Sequence, residues 1–193
     1  DEGVKRNKGN IGAKNAPDII RKNMANFPVV NANFSLKDFG NIECENENLE
    51  KAQNLLAEKV KIVLEKGAKS IVLGGGHEVM FGHYSGIRKA FPDKKIGIVN
   101  IDAHFDNREI SPKIGASSGT GFWQIAQNEK IHSLHIGIQK NSNTLKLFDT
   151  AHHYGMKYIL AEELFFENLP YIYEKIDQFI NEADILYITI CMD

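Results

Sequence analysis

The 193-residue sequence predicts an α/β fold with three αβα layers, in which a mostly parallel β-sheet has helices on both faces. Two observations lead to this prediction. From residue 49 onward, amphipathic helical patterns alternate with short segments that are apolar throughout. Strands that are apolar on both faces are typical of parallel sheets buried between two layers of helices. No internal repeat or linker divides the chain, so we expect a single domain over residues 1–193.

The predicted elements follow one another in an order that suits parallel strands. Apolar residues at helical spacing indicate the first long helix: Leu49, Ala52, Leu55, Leu56, Val60 and Val63. Strands are predicted over residues 68–73, 96–102, 134–138, 157–160 and 185–193, and further helices over residues 78–90, 121–127, 144–153 and 170–183. These helices provide the long crossover connections that parallel strands require.

The composition argues against several classes of function. A net charge of −2 and an isoelectric point near 6.4 disfavour binding to nucleic acid or to a membrane surface, since both require a basic excess. The basic run over residues 5–8 is interpreted as a solvated loop. With only Cys44 and Cys191, the chain has no disulfide framework, which favours a reducing compartment. No apolar run reaches membrane-spanning length and the first residues resemble no secretion signal, so we expect a cytoplasmic protein.

The most informative motif is Asp102-Ala-His104-Phe-Asp106, which directly follows the apolar run 96–101. Side chains alternate between the faces of a strand, so Asp102, His104 and Asp106 would point to one side. Ionised groups at the end of a buried strand need a compensating partner, and a metal ion is a natural one. Taken alone, the motif fits equally well an alternative in which Asp106-Asn107-Arg108 is a solvated turn and Asp102 caps a helix or forms an ion pair.

Two further polar clusters occur at the ends of predicted strands, where parallel sheets bind ligands. His77 follows Gly74-Gly-Gly76, and the last strand ends with Cys191 and Asp193. A nucleotide-binding loop is disfavoured, because no Lys-Ser/Thr follows the glycines and Val79 stands where a dinucleotide motif needs glycine. Cys191 is either a small buried apolar residue or a thiolate ligand. The three clusters together favour a metal centre.

Several residues beyond these clusters have two interpretations each. Ser117-Ser118-Gly-Thr120 is either a helix-capping turn or a set of hydroxyl donors for a carboxylate substrate. Arg108 is either a surface residue or a bidentate clamp for a carboxylate. The remaining histidines have no carboxylate at ligand spacing and receive no role: His83, His132, His135, His152 and His153.

These motifs together resemble the ureohydrolase family of arginase and agmatinase, and within it the formimidoylglutamase branch. The segments that carry the resemblance are the opening loop over residues 1–13, the first helix over residues 17–21, and the two metal motifs over residues 74–77 and 100–106. The resemblance implies an arginase-like sheet. It also implies that the chain lacks the first strand and the C-terminal part expected for the family.

Two segments indicate the branch: Ser118-Gly-Thr-Gly-Phe122 with Gln124, and residues 137–144. Arginases and agmatinases have a histidine in the first segment, where this chain has Ser118, which disfavours guanidine substrates and leaves the proton donor unidentified. The family's late motif is usually Asp-x-Asp, with the first aspartate bridging two metal ions. Cys191 stands in its place here, a substitution associated with some formimidoylglutamases.

The resemblance implies two Mn²⁺ ions per subunit, with occupancy of the second site depending on Cys191. The first ion would be held by His77, Asp102, Asp106 and Cys191, and the second by His104, Asp102, Cys191 and Asp193. A metal-bound hydroxide held by Asp102 and Asp106 would attack N-formimidoyl-L-glutamate and give L-glutamate and formamide, a step of histidine degradation. The implied substrate-binding residues are Arg108, Ser118, Thr120 and Asn143.

Members of this family assemble from several subunits. We therefore expect a homo-oligomer that acts on a small amidine with carboxylate groups, with neither nucleic acid nor membrane as a partner. Two alternatives stay open. The chain could belong to another ureohydrolase, similar to agmatinases or guanidino-acid hydrolases. It could also be a non-catalytic binding or assembly subunit that keeps the arginase fold.

Overall fold

Four parallel strands form one sheet in the computed structural model, which describes residues 1–29, 33 and 35–192. The strands are β1 (Ile96–Ile101), β2 (Ser133–Ile138), β3 (Lys157–Leu160) and β4 (Ile185–Ile190). They lie in the order β3-β2-β1-β4, so β1 is flanked by β2 and β4. The predicted parallel sheet is confirmed.

Helices cover both faces of this sheet. The described residues form α1 (Glu2–Arg6), α2 (Ala16–Met24), α3 (Leu49–Glu65), α4 (Val79–Ala90), α5 (Gly121–Asn128), α6 (Leu145–Tyr154) and α7 (Leu169–Asn181). On one face, Phe179 of α7 packs in a cluster with Val99 of β1. On the other face, Met80 of α4 and Phe122 of α5 share a core with Ile98. Among the described residues, no helix combines the length and apolar character needed to cross a membrane.

The prediction of a buried strand over residues 68–73 is wrong, because the structure assigns no strand to this segment. Ile71 is 71% exposed, whereas Val72 packs against the core. Ser70 uses its hydroxyl to contact the imidazole of His83 at 2.7 Å. Apolar character satisfied the sequence pattern, but a strand also needs a neighbouring backbone that accepts and donates its hydrogen bonds.

The basic run over residues 5–8 is not a solvated loop, because α1 extends to Arg6. The guanidinium of Arg6 lies 2.6 Å from Glu50 Oε1 at the start of α3 and donates to the carbonyl of Ala116 at 3.1 Å. A single half-buried cation thus joins α1, α3 and the loop that leads to the 3₁₀ turn Ser118–Thr120. Sequence position alone did not indicate these distant partners.

Candidate metal centre

The strands β1 and β4 end side by side at the carboxyl edge of the sheet, where Ile101 pairs with Ile190. Asp102 and Cys191 are the next residues, and the Cys191 N–H donates to the Ile101 carbonyl at 3.0 Å. His77 reaches the same edge from the loop before α4. The potential ligand atoms of His77, Asp102 and Cys191 all lie within 4.8 Å of one another. The structure therefore brings together residues from all three predicted clusters.

The imidazole of His77 is held between two carboxylates and a hydroxyl. Its Nδ1 lies 2.8 Å from Asp106 Oδ2 and 3.2 Å from Asp102 Oδ2. Its Nε2 lies 2.9 Å from Thr189 Oγ1 on β4. The residue is buried, and the ring of Phe122 packs edge-on against it. The Thr189 contact leaves Nδ1 facing the acids, which is how a neighbouring residue orients a histidine ligand.

A loop, rather than the alternation of a strand, brings the residues of the Asp102 motif together. Asp102 Oδ1 accepts the backbone N–H of His104 at 2.8 Å, and His104 Nδ1 lies 3.5 Å from the same oxygen. Asp106 has a left-handed backbone conformation, with φ of 46°. Such a conformation is uncommon for a residue other than glycine and is found where surrounding contacts support it. The prediction that Asp102, His104 and Asp106 point to one side of a strand is therefore wrong, because β1 ends at Ile101 and the three residues lie in the loop after it.

The electrostatics of this cluster favour a positive charge between the carboxylates. Burial by itself lowers the pKa of His77, but hydrogen bonds with Asp102, Asp106 and Cys191 outweigh it and raise that pKa well above the usual range. Burial likewise opposes ionisation of Asp102, yet its bonds to His77 and the His104 N–H lower the pKa of this carboxyl. Burial raises the pKa of Asp106. The same carboxylates would stabilise a metal cation.

The donor set fits a divalent metal ion. The cluster within 4.8 Å supplies one imidazole, one carboxylate and one thiol, and the carboxylate of Asp106 contacts the imidazole of His77. Asp102 and His77 are both buried. Carboxylate oxygen and imidazole nitrogen suit manganese, whereas a thiolate is a softer ligand that suits zinc better. If an ion binds here, the choice of metal would therefore depend on Cys191. Asp193, a predicted ligand of the second ion, lies outside the described residues.

The loop that follows β1 and carries Asp102, His104 and Asp106 is called the metal loop. Arg108 and the 3₁₀ turn Ser118–Thr120 lie beside it. The Arg108 N–H donates to the Gly119 carbonyl at 2.9 Å, and its guanidinium donates to Asn7 Oδ1 at 2.9 Å. The contact with Asn7 uses one of the five N–H donors of the guanidinium. Arg108 is exposed and Ser118 is half-buried. Two of the predicted substrate-binding residues are thus neighbours in the fold.

The other two predicted substrate-binding residues, Thr120 and Asn143, bond within the protein. The Thr120 hydroxyl accepts the Ser117 N–H at 2.9 Å, as in a helix-capping turn. Asn143 Oδ1 accepts the Phe105 N–H at 3.0 Å, and its amide donates to the Ala103 carbonyl at 2.8 Å. Asn143 thus stabilises the conformation of the metal loop, and Thr120 stabilises the 3₁₀ turn Ser118–Thr120. Their direct contact with a substrate stays a prediction.

Comparison with protein families gives the same assignment as the motifs. The model of the arginase family matches residues 3–193. The chain belongs to the arginase family. Curated relatives of this arginase-family chain include the formimidoylglutamase of Geobacillus sp. (strain WCH70), which is 44% identical over 196 residues, covering the whole chain and 60% of the relative. The formimidoylglutamase of Staphylococcus carnosus (strain TM300) is 39% identical, again over the whole chain and over 62% of the relative. The chain thus spans about three fifths of the length of these relatives.

Solved structures share this fold. The formimidoylglutamase of Bacillus subtilis superposes with a TM-score of 0.86 at 21% identity, covering 96% of this chain and 61% of that one. The formiminoglutamase of Trypanosoma cruzi, solved with Mn²⁺, gives a TM-score of 0.78 at 27% identity over 85% of this chain and 58% of that one. The α/β arrangement of the arginase family is therefore present here.

Several side chains around this arginase-family site were missed at the level of sequence. Asn7 is 101 positions away from Arg108, and no local pattern connects the two. Thr189 and Asn100 each had a signal that could have found them. Both are polar residues inside apolar strands, two positions before a predicted ligand and therefore on the same face of the strand.

Proposed function

We propose that this arginase-family chain carries the metal centre of a formimidoylglutamase, which hydrolyses N-formimidoyl-L-glutamate to L-glutamate and formamide. The observation that carries the proposal is that potential ligand atoms of His77, Asp102 and Cys191 lie within 4.8 Å of one another at the carboxyl edge of the sheet, with Asp106 Oδ2 2.8 Å from His77 Nδ1. The 44% identity to the Geobacillus formimidoylglutamase supports this choice of substrate. Ser118, at the position where the resemblance places a histidine in arginases and agmatinases, supports it further.

Manganese is the proposed metal, as in the Trypanosoma cruzi formiminoglutamase solved with Mn²⁺. One ion would be held by His77, Asp102, Asp106 and Cys191, and a second by His104, Asp102, Cys191 and Asp193. When bound, manganese lowers the pKa of coordinated water and thereby supplies a nucleophile at neutral pH. Occupancy of the second position would depend on the thiol of Cys191.

The residues beside the metal loop are proposed to orient the substrate. Arg108 can bind a glutamate carboxylate with two parallel N–H donors. Asn7 holds the guanidinium from one side, which restricts its rotation before substrate binds. Ser118 is proposed to donate its hydroxyl to a carboxylate of the substrate, and Thr120 and Asn143 to complete the same pocket.

The reaction adds one water to the formimidoyl carbon and passes through a tetrahedral intermediate. The bond from this carbon to the glutamate nitrogen then breaks, the nitrogen takes up a proton, and the carbon leaves as formamide. Asp102 and Asp106 are proposed to hold the attacking oxygen in position. Asp106 Oδ2, which lies 2.8 Å from His77 Nδ1, is the proposed acceptor of the proton that the water loses.

The test is an assay of formamide release from N-formimidoyl-L-glutamate by the full-length protein loaded with manganese. We expect this substrate to be hydrolysed faster than agmatine or arginine. Faster turnover of either guanidine compound would assign the protein to another ureohydrolase. A manganese-loaded protein that hydrolyses none of the three would favour the non-catalytic binding or assembly subunit.

We also propose that the full-length protein is a homo-oligomer, as membership of this family implies. Light scattering in solution measures the mass. A multiple of the subunit mass is expected, and the mass of a single subunit would contradict the proposal.

A further inference from the structure

A second polar cluster lies behind the metal centre, within the sheet. Asn100 on β1 and His135 on β2 are paired in the register of the two strands, and both are fully buried. Ser133 lies two positions before His135 on β2 and is buried as well. Fully buried polar side chains are uncommon unless they bond to one another or to a functional group.

These side chains form a hydrogen-bonded series that ends at Asp102. Asn100 Nδ2 lies 3.4 Å from Asp102 Oδ2 and 3.3 Å from His135 Nδ1. His135 Nε2 lies 3.2 Å from Ser133 Oγ. The amide nitrogen of Asn100 carries two hydrogens, so it can donate one to the carboxylate and one to the imidazole.

The imidazole of His135 serves as the acceptor in this series. Burial lowers the pKa of His135 to about 3, so the ring is neutral around neutral pH. Because Nδ1 accepts from Asn100, the single ring proton lies on Nε2 and faces Ser133. Phe105 and Phe122 pack against the ring with centroid distances of 5.5 and 4.4 Å. This packing restricts rotation of the ring towards other partners.

The orientation of the Asn100 amide follows from the same contacts. Among the described residues, its Oδ1 is buried without a hydrogen-bond partner. A flipped amide would instead turn Oδ1 towards the carboxylate of Asp102, where two acceptors repel each other. Leaving a buried acceptor without a partner is unfavourable. The arrangement is therefore explained by the N–H groups that Asn100 directs at Asp102 and His135.

We infer that Asn100 and His135 are positioning residues for the carboxylate of Asp102. Asn100 holds Oδ2, and the His104 N–H holds Oδ1, so both oxygens are oriented before any metal binds. His135 acts through Asn100 by fixing its amide. The inference deepens the proposed function, because it rests on Asp102 being a metal ligand. Replacing residues that orient a ligand typically weakens metal binding about 10- to 100-fold.

The variants Asn100→Leu and His135→Phe of the full-length protein test this inference. Each removes one hydrogen-bonding group and keeps a side chain of similar size. We expect the Kd for Mn²⁺, measured by calorimetry, to rise about 10-fold or more in each. The double variant should lose no more affinity than Asn100→Leu, because His135 acts only through Asn100. His135→Asn, which keeps an acceptor near the Nδ1 position, should restore most of the affinity.

His83→Phe is the matched control. His83 is also a buried histidine, but its hydrogen bond goes to Ser70, which is not one of the proposed metal ligands. The Kd of the His83→Phe variant for Mn²⁺ should stay close to that of the wild-type protein. Wild-type affinity in Asn100→Leu, or an equal loss of affinity in His83→Phe, would overturn the inference. If Asn100→Leu does not fold, the comparison of His135→Phe with His83→Phe decides in the same way.

Crystal structures of the metal-free wild-type protein and of metal-free His135→Phe give a second, independent result. The carboxylate of Asp102 should face Asn100 in the wild-type protein and should be rotated or adopt two orientations in the variant. A carboxylate that is unchanged in the variant would overturn the inference. A wild-type protein that binds no manganese would contradict the proposed function, and the crystal structures would still decide whether these residues position Asp102.

Discussion

His83 is a buried residue whose ionisation affects the stability of the fold as the pH falls below neutrality. Its ring contacts Ser70 Oγ at 2.7 Å and packs edge-on against Tyr187, with ring centroids 4.8 Å apart. Burial lowers the pKa of His83 from 6.5 to about 4. Well above pH 6.5 the ring is neutral in both the folded and unfolded states, and His83 then makes its full contribution to the free energy of unfolding. As the pH falls towards 4, the unfolded state takes up a proton first, so the free energy of unfolding falls.

We expect the wild-type protein to lose on the order of 2 kcal/mol more stability than His83→Phe when the pH falls from about 7.5 to about 5. Urea unfolding at the two pH values measures this difference. Tyr187, whose pKa burial raises to about 12, does not titrate in this range. His135 is present in both proteins, so the comparison isolates His83. Equal losses in the two proteins would contradict the prediction.

Cys191 is the proposed ligand whose replacement tests the metal preference of the cluster. We expect Cys191→Asp to bind Mn²⁺ more tightly and Zn²⁺ more weakly, because carboxylate oxygens suit manganese and thiolates suit zinc. The ratio of the two Kd values should change at least about tenfold, or about 1.4 kcal/mol. Competition titrations measure the ratio, with Cys44→Ser as the control that removes the other thiol. An unchanged ratio in Cys191→Asp would show that Cys191 is not a ligand.

For individual residues, the sequence indicated the proposed metal ligands but not the side chains that hydrogen-bond to them. His77 and Asp102 stand in short motifs whose residue types indicate a metal site. Asn100 is different, because its function depends on a partner on another strand, 35 positions away. Asn143, which was predicted to touch substrate, bonds the backbone of the metal loop. Local patterns predict the chemistry of a side chain, whereas its bonding partner depends on the tertiary fold.

Among the helices, α3 and α4 approach closely because glycine faces the contact. A Cβ at Gly86 would lie 2.5 Å from Val60 Cβ and 2.7 Å from the Ala57 carbonyl oxygen. We expect Gly86→Ala to be destabilised, because contacts this short place the steric cost near the upper value of about 3 kcal/mol, above the roughly 1 kcal/mol that alanine gains in a helix. Neither contact is relieved by rotating a side chain.

Urea unfolding measures this effect, and Ser85→Ala on the same helix is the control. The Ser85 hydroxyl donates to the Phe81 carbonyl one turn earlier on the same helix, so this change should stay within about 0.5 kcal/mol. Wild-type stability in Gly86→Ala would mean that α3 and α4 can separate without loss of packing.

The elements themselves were predictable where an apolar segment also has backbone partners. The run over residues 96–101 is β1, and its interior position explains why it is apolar on both faces. The segment over residues 68–73 has a similar composition but forms no strand. Apolar composition indicates that a segment is buried, but it does not indicate whether the segment has strand partners. Residues 96–101 form a strand because β2 and β4 supply the backbone hydrogen bonds.

At the scale of the whole molecule, the proposed metal ligands come from chain segments that meet only in the folded state. His77 precedes α4, Asp102 and Asp106 follow β1, and Cys191 follows β4. Parallel strands direct their carboxyl ends to one edge, so the topology of the sheet assembles the site. An unfolded chain does not hold these groups within reach of one ion, and metal binding therefore adds to the free energy of folding.

This coupling predicts that manganese stabilises the whole protein. At a free Mn²⁺ concentration about 100 times its Kd, the free energy of unfolding should rise by about 2.7 kcal/mol, and a chelator should reverse the change. Urea unfolding with and without the metal measures it. Asp102→Asn should lose most of the increase, because it removes a buried ligand, whereas Asp177→Asn on the exposed side of α7 should keep it. An equal increase in both variants would mean that manganese binds elsewhere on the protein, since only one of the two aspartates belongs to the cluster around His77.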